Sequence, residues 1–81
     1  MVNYDYYAVT NNITEQLANA GHIEWKTRID TAIAAGSTGT EILMSIRWNF
    51  RELLDSGIKL DKAVESQIIE VCRKITEALK P

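Results

Sequence analysis

The chain has 81 residues, of which 46% are hydrophobic and 25% are charged, and its formal net charge is −2 at pH 7. These are the values of an ordinary globular protein, and they argue against disorder. They predict one domain, residues 1–81, with no electrostatic reason to bind nucleic acid or an anionic membrane. A core of this size gives only about 3–5 kcal/mol, and such short chains often gain stability by oligomerising.

The cysteine content and the N-terminal sequence predict a cytoplasmic protein. Cys72 is the only cysteine, so an internal disulfide is excluded. The first five residues lack the basic segment and the apolar run of a signal peptide. No window approaches the roughly 20 consecutive apolar residues of a membrane span.

Three glycines divide the chain into four segments in which apolar residues recur at helical spacing. Gly21, Gly36 and Gly57 each follow such a segment, and a residue in the left-handed conformation, most easily a glycine, is a usual way to end a helix. Because the connections are short, consecutive helices are expected to be antiparallel. The sequence therefore predicts an all-α fold, a small up-and-down four-helix bundle joined by glycine-capped turns.

The first predicted helix has one apolar stripe, made by Tyr6, Val9, Ile13, Leu17 and Ala20. Its start is open between a position near Asn3 or Asp5 and a later one at Asn12, which forms a possible capping box with Glu15. A short strand over residues 2–9, which contain three tyrosines, is a further alternative.

The other three helices show the same periodicity. The second carries His22, Trp25, Ile29, Ala32 and Ile33. The third, preceded by Thr38 and Glu41 at capping-box spacing, carries Ile42, Leu43, Ile46, Phe50, Leu53 and Leu54. The fourth, with Asp61 as its predicted N-cap, carries Val64, Ile68, Val71, Cys72, Ile75 and Leu79.

The residues for catalysis, metal binding or cofactor binding are too few. A nucleophile–base pair needs a histidine, and the only one, His22, lies on the predicted apolar stripe of the second helix. His22 and Cys72 together supply fewer ligands than a zinc site requires. We therefore expect no enzymatic activity, no metal and no cofactor.

The third helix has a second face that its core stripe does not explain. Met44, Arg47, Trp48 and Arg51 cover an arc of about 100° outside the main apolar arc. The two arginines are four residues apart, a like-charge spacing that disfavours a helix by roughly 0.2–0.5 kcal/mol. Tryptophan, methionine and arginine are enriched in protein interfaces. This set, the α3 face, is the predicted protein-interaction site.

Three interpretations of the α3 face stay open. Trp48 could pack against another helix of the same chain, such as the N-terminal segment with its tyrosines, and Arg51 could then pair with Asp55. The face could instead join two copies of the chain, or bind an acidic partner. The N-terminal tyrosines Tyr4 and Tyr7 form a second, weaker candidate surface. The expected function is protein–protein contact, as a homodimer or as a small regulator or adaptor of a larger partner.

The alternative function is DNA binding. The spacing of Ala32, Gly36 and Ile42 resembles the signature of the helix-turn-helix motif over about a dozen residues. The resemblance implies a small residue at the helix crossing, a glycine in the turn and a core anchor in the recognition helix. It also implies base-reading positions at Thr38, Thr40, Met44 and Arg47. These carry one positive charge between them, few for the phosphate contacts that dominate DNA affinity.

Overall fold

The computed structural model describes residues 4–80, which form four α-helices. They are α1 Tyr6–Asn19, α2 Ile23–Ala35, α3 Gly39–Asp55 and α4 Lys62–Ala78. Each helix packs against the next along the chain, and α1 also packs against α4, so the four helices close a ring around one core. The predicted all-α, up-and-down four-helix bundle is confirmed. None of these helices combines the length and the apolar character needed to cross a membrane.

Side-chain caps explain where three of the helices begin. The Asp5 carboxylate accepts a hydrogen bond from the Ala8 amide at 3.0 Å, so α1 starts at the earlier of its two predicted positions. Asn12 lies inside α1, and neither a capping box there nor a strand over residues 4–9 is formed. Residues 1–3, including Asn3, lie outside the described part of the chain. Thr38 and Asp61 cap α3 and α4 as predicted, accepting from the Glu41 amide at 3.1 Å and the Ala63 amide at 2.8 Å.

Two of the three predicted glycine ends are confirmed, and the third works differently. Gly21 and Gly57 have φ values of 93° and 83°, the left-handed conformation that ends a helix. Gly36 was expected to do the same, but its φ of −71° and ψ of 139° are extended. A Cβ at Gly36 would overlap the Cγ1 atom of Ile42. Glycine is needed at this position because the end of α2 approaches the first turns of α3 closely.

The core is built from the predicted apolar stripes together with three polar residues that the stripes do not include. Ile13, Ile29, Phe50 and Ile68 are fully buried, one from each helix. The rest of the buried apolar set is Leu17, Trp25, Ile46, Leu53, Val64, Val71, Cys72 and Ile75. Ala20, expected in the stripe of α1, is exposed. The three buried polar residues are Thr10 and Thr14 of α1 and Asn49 of α3.

The two buried threonines of α1 differ in their hydrogen bonding. The Thr14 hydroxyl donates to the Asn11 carbonyl at 3.0 Å. The Thr10 hydroxyl is equally buried but has no hydrogen-bond partner in residues 4–80. A buried polar group without a partner costs about 1–3 kcal/mol, so Thr10 is a weak point of an otherwise apolar core.

We expect Gly36→Ala to lower the free energy of unfolding by about 1–3 kcal/mol, because the added methyl group forces Ile42 to shift. Gly39→Ala is the matched control, since a Cβ there meets no atom within 4 Å, and we expect it to be neutral or stabilising by up to about 1 kcal/mol. Urea unfolding followed by circular dichroism measures both. In an Ile42→Ala background the Gly36→Ala penalty should shrink, and an unchanged penalty would contradict the steric explanation.

We expect Thr10→Val to raise the free energy of unfolding by about 1 kcal/mol, because it removes the unpartnered hydroxyl at nearly constant shape and helix propensity. Thr14→Val, which gives up a hydrogen bond, should bring no such gain. Equal effects of the two substitutions in urea unfolding would show that the hydrogen bonding of the threonines is not what separates them.

Candidate protein-interaction surface

The four residues of the α3 face lie together on the side of α3 that points away from the core. Trp48 is 64% exposed and Met44 is 50% exposed, Arg51 is exposed, and Arg47 is half-buried. All four line one open hollow of about 330 Å³, whose remaining wall comes from residues of the same helix. The structure therefore brings together a large aromatic ring, a flexible thioether and two guanidinium groups.

The exposure of Trp48 argues against one of the three interpretations of the α3 face, packing within the same chain. The other tryptophan, Trp25, is only 8% exposed and has the Arg28 guanidinium 4.4 Å from its ring centre. Trp48 has no comparable cover. The first of the three interpretations, packing of Trp48 against another helix such as the N-terminal segment, does not agree with this exposure, and Tyr4 packs instead against Tyr6 and beside Lys74 of α4. Residues 4–80 of one copy of the chain therefore leave most of the Trp48 ring exposed.

The two arginines of the α3 face have no carboxylate partner in residues 4–80. Arg47 Nη1 donates to the Thr76 hydroxyl of α4 at 3.1 Å, which holds the side chain across the α3–α4 boundary. Arg51 does not form the pair with Asp55 that the sequence allows. All the ion pairs of this part of the chain use other cations, namely Lys26, Arg28 and Arg73. Within residues 4–80, the α3 face therefore carries two guanidinium groups that form no ion pair with a carboxylate.

A second open hollow, of about 440 Å³, lies between α3 and α4 and shares Arg51 with the first. Its apolar lining includes Leu54, Ile69 and Cys72, and Ile69 is 54% exposed. Ile69 is not among the site residues that the sequence predicts. Its signal was available, because it is a large apolar residue on α4 outside the predicted stripe. The two hollows therefore adjoin at Arg51, which lines both of them.

Cys72 contributes to this surface as an apolar group and not as a nucleophile. Burial raises the pKa of its thiol above the ordinary value, and the nearby charges of Arg51 and Arg47 offset this pKa shift only in part. Since the thiolate is the reactive form, the side chain stays a neutral thiol at pH 7. It forms part of the wall between α3 and α4.

The weaker candidate surface at the N-terminus is divided by the fold. Tyr4 is half-buried, and burial is the main cause of the raised pKa of its hydroxyl. Tyr7 is 41% exposed and lies on α1, diagonally across the ring from α3. Tyr4 is thus engaged in the fold, whereas Tyr7 serves as an exposed aromatic residue remote from the α3 face.

Within residues 4–80, no group of three or more His, Cys, Asp or Glu side chains is placed to hold a metal ion. His22 lies at the start of α2 and makes no side-chain cap there. Comparisons of the chain with protein-family models, curated proteins and solved structures found no match.

We expect Trp48→Ala to change the free energy of unfolding by less than about 1 kcal/mol, because the ring is mostly in water. Leu53→Ala, on the core side of the same helix, should cost about 2–5 kcal/mol. Urea unfolding followed by far-ultraviolet circular dichroism compares them. A loss of more than about 2 kcal/mol for Trp48→Ala would mean that the ring is part of the core after all.

Proposed function

We propose that this protein is a non-enzymatic interaction module of the cytoplasm that binds another protein chain through the α3 face. The face has the residue types that contribute most to binding energy at protein interfaces, a tryptophan and two arginines, with a methionine beside them. A small regulator or adaptor of a larger partner uses such a face, and so does a homodimer.

The observation that carries this proposal is the exposed ring of Trp48. Aromatic side chains bury large apolar areas in cores and interfaces. Because the Trp48 side chain is 64% exposed, most of its apolar area is not buried by the fold. Met44 beside it is half exposed, so the two side chains form one apolar area and not a single isolated residue. Covering this area with a partner removes apolar surface from water at no cost to the core.

DNA binding, the alternative, has less support from the geometry. Gly36 is extended, whereas the turn glycine of the helix-turn-helix resemblance would be expected in the left-handed conformation. Of the base-reading positions that the resemblance implies, only Arg47 is charged, and its guanidinium already donates to Thr76. Elution from heparin at low salt separates the two functions, because a DNA-binding protein is retained and an acidic interaction module is not.

We expect a displayed random-peptide library, selected against the folded protein, to yield binders that depend on the α3 face. Trp48→Ala should weaken the selected peptides at least tenfold, because it removes the largest apolar contact. Tyr7→Ala is the matched control, an exposed aromatic residue on the diagonal helix, and should leave the affinity unchanged. Fluorescence anisotropy of labelled peptides gives the dissociation constants.

Light scattering on a sizing column, over a hundredfold range of concentration, shows in parallel whether the chain associates with itself. A dimer that Trp48→Ala dissociates and Tyr7→Ala leaves intact would assign the α3 face to self-association. A selection that yields no peptides, or only peptides indifferent to Trp48→Ala, from a chain that stays monomeric would contradict the proposed function.

A further inference from the structure

We infer that the partner of the α3 face is an acidic amphipathic helix of a different protein, lying along α3 over both hollows. This inference rests on the proposed function and specifies its partner by charge, shape and origin. Three observations carry it: the unpaired guanidinium groups, the continuity of the two hollows through Arg51, and the exposed apolar residues at both ends of that surface.

The positive charge of this surface favours a partner that supplies carboxylate groups. Glu77, which lines the second hollow, pairs with Arg73 at 3.1 Å, and Glu52, next to Arg51 in the sequence, pairs with Arg28 at 3.5 Å. Asp55 forms no ion pair with Arg51 in residues 4–80. Arg51 is left with no acidic partner in residues 4–80, and Arg47 with only the Thr76 hydroxyl. A guanidinium group binds a carboxylate through two parallel hydrogen bonds, which gives both strength and orientation.

A second copy of the chain does not supply this charge. In a symmetric dimer the same patch of each copy meets the other, so Arg47 and Arg51 would meet only side chains of this same surface. The hollow around Trp48 has no acidic residue in its lining, and the only one at the second hollow, Glu77, is paired with Arg73. Bringing four guanidinium groups together without carboxylates is unfavourable, and this favours a different protein as the partner.

The shape of the surface fits a helix. The lining runs along α3 from Met44 to Leu54, which is roughly 15 Å, or about three helical turns at 1.5 Å per residue. Trp48 lies at one hollow, Ile69 lies at the other, and Arg51 stands between them. A helix that presents apolar side chains one to two turns apart, with Asp or Glu beside them, places each group against its counterpart.

The same surface is poorly suited to a polyanion. Two unpaired guanidinium groups on a chain of net charge −2 make few contacts with a phosphate backbone or an anionic membrane surface. The exposed Trp48, Met44 and Ile69 instead need apolar side chains to cover them. A protein segment that combines apolar and acidic residues meets both requirements.

The test uses the peptides selected against the folded protein. We expect Asp and Glu to be enriched in them beside apolar residues at spacings of three and four, and affinity to fall with rising salt. Arg51→Glu should weaken binding at least tenfold, and changing one acidic residue of the peptide to lysine should restore it. Lys59→Glu, in the loop between α3 and α4 and outside both hollows, is the matched charge control.

Each outcome separates this inference from the proposed function. Two results would overturn the acidic helix as the partner and leave the proposed function unaffected. In the first, the peptides need Trp48 but are neutral or basic. In the second, they bind the Arg51→Glu variant as tightly as the wild type. A Trp48-dependent dimer in light scattering overturns the different protein as partner. Tighter binding to heparin or to vesicles of phosphatidylserine than to any selected peptide overturns the acidic helix as well. Peptides indifferent to Trp48→Ala, selected against a chain that stays monomeric, overturn both proposals.

Discussion

Burial of one apolar stripe on each of four short helices is the constraint on which the rest of this structure depends. Ile13, Ile29, Phe50 and Ile68 are all fully buried, and each comes from a different helix. A core of this size contributes only about 3–5 kcal/mol to the stability of the fold, so each helix has to bury its apolar stripe in it. Since each helix contacts two neighbours in the ring, one side of every helix faces water. On α3 that side includes Trp48.

The helix ends show which parts of the fold can be predicted from local sequence. Gly21 and Gly57 end their helices through their own backbone conformation, which depends on the residue itself. α2 also ends at Gly36, as predicted, but the backbone of this glycine is extended. A glycine is needed there because Ile42 of the next helix approaches closely. That contact exists only once α2 and α3 have packed. Similarly, hydropathy places Thr10 outside the core, and only the packing of α1 against its neighbours buries it.

The candidate site divides in the same way. Helical periodicity is sufficient to place Met44, Arg47, Trp48 and Arg51 on one face, because they belong to one helix. Periodicity does not determine which neighbours cover that face, so the exposure of Trp48 and the bond from Arg47 to Thr76 follow only from the assembled ring. The second hollow combines two helices that are distant in sequence. No pattern within one helix predicts it.

The α3 face combines a small local cost with selectivity for its partner. Two arginines at i,i+4 destabilise a helix by roughly 0.2–0.5 kcal/mol, a fraction of the about 3–5 kcal/mol that a core of this size gives. The same charges oppose contact between two α3 faces, although the apolar area around Trp48 would favour it. An apolar area bordered by positive charges therefore favours some partners over others. A partner with negative charges can cover it without electrostatic repulsion, whereas a positively charged partner cannot. In the proposed interaction, the arginines would determine which chain binds, and Trp48 and Met44 would supply the apolar area that makes binding favourable.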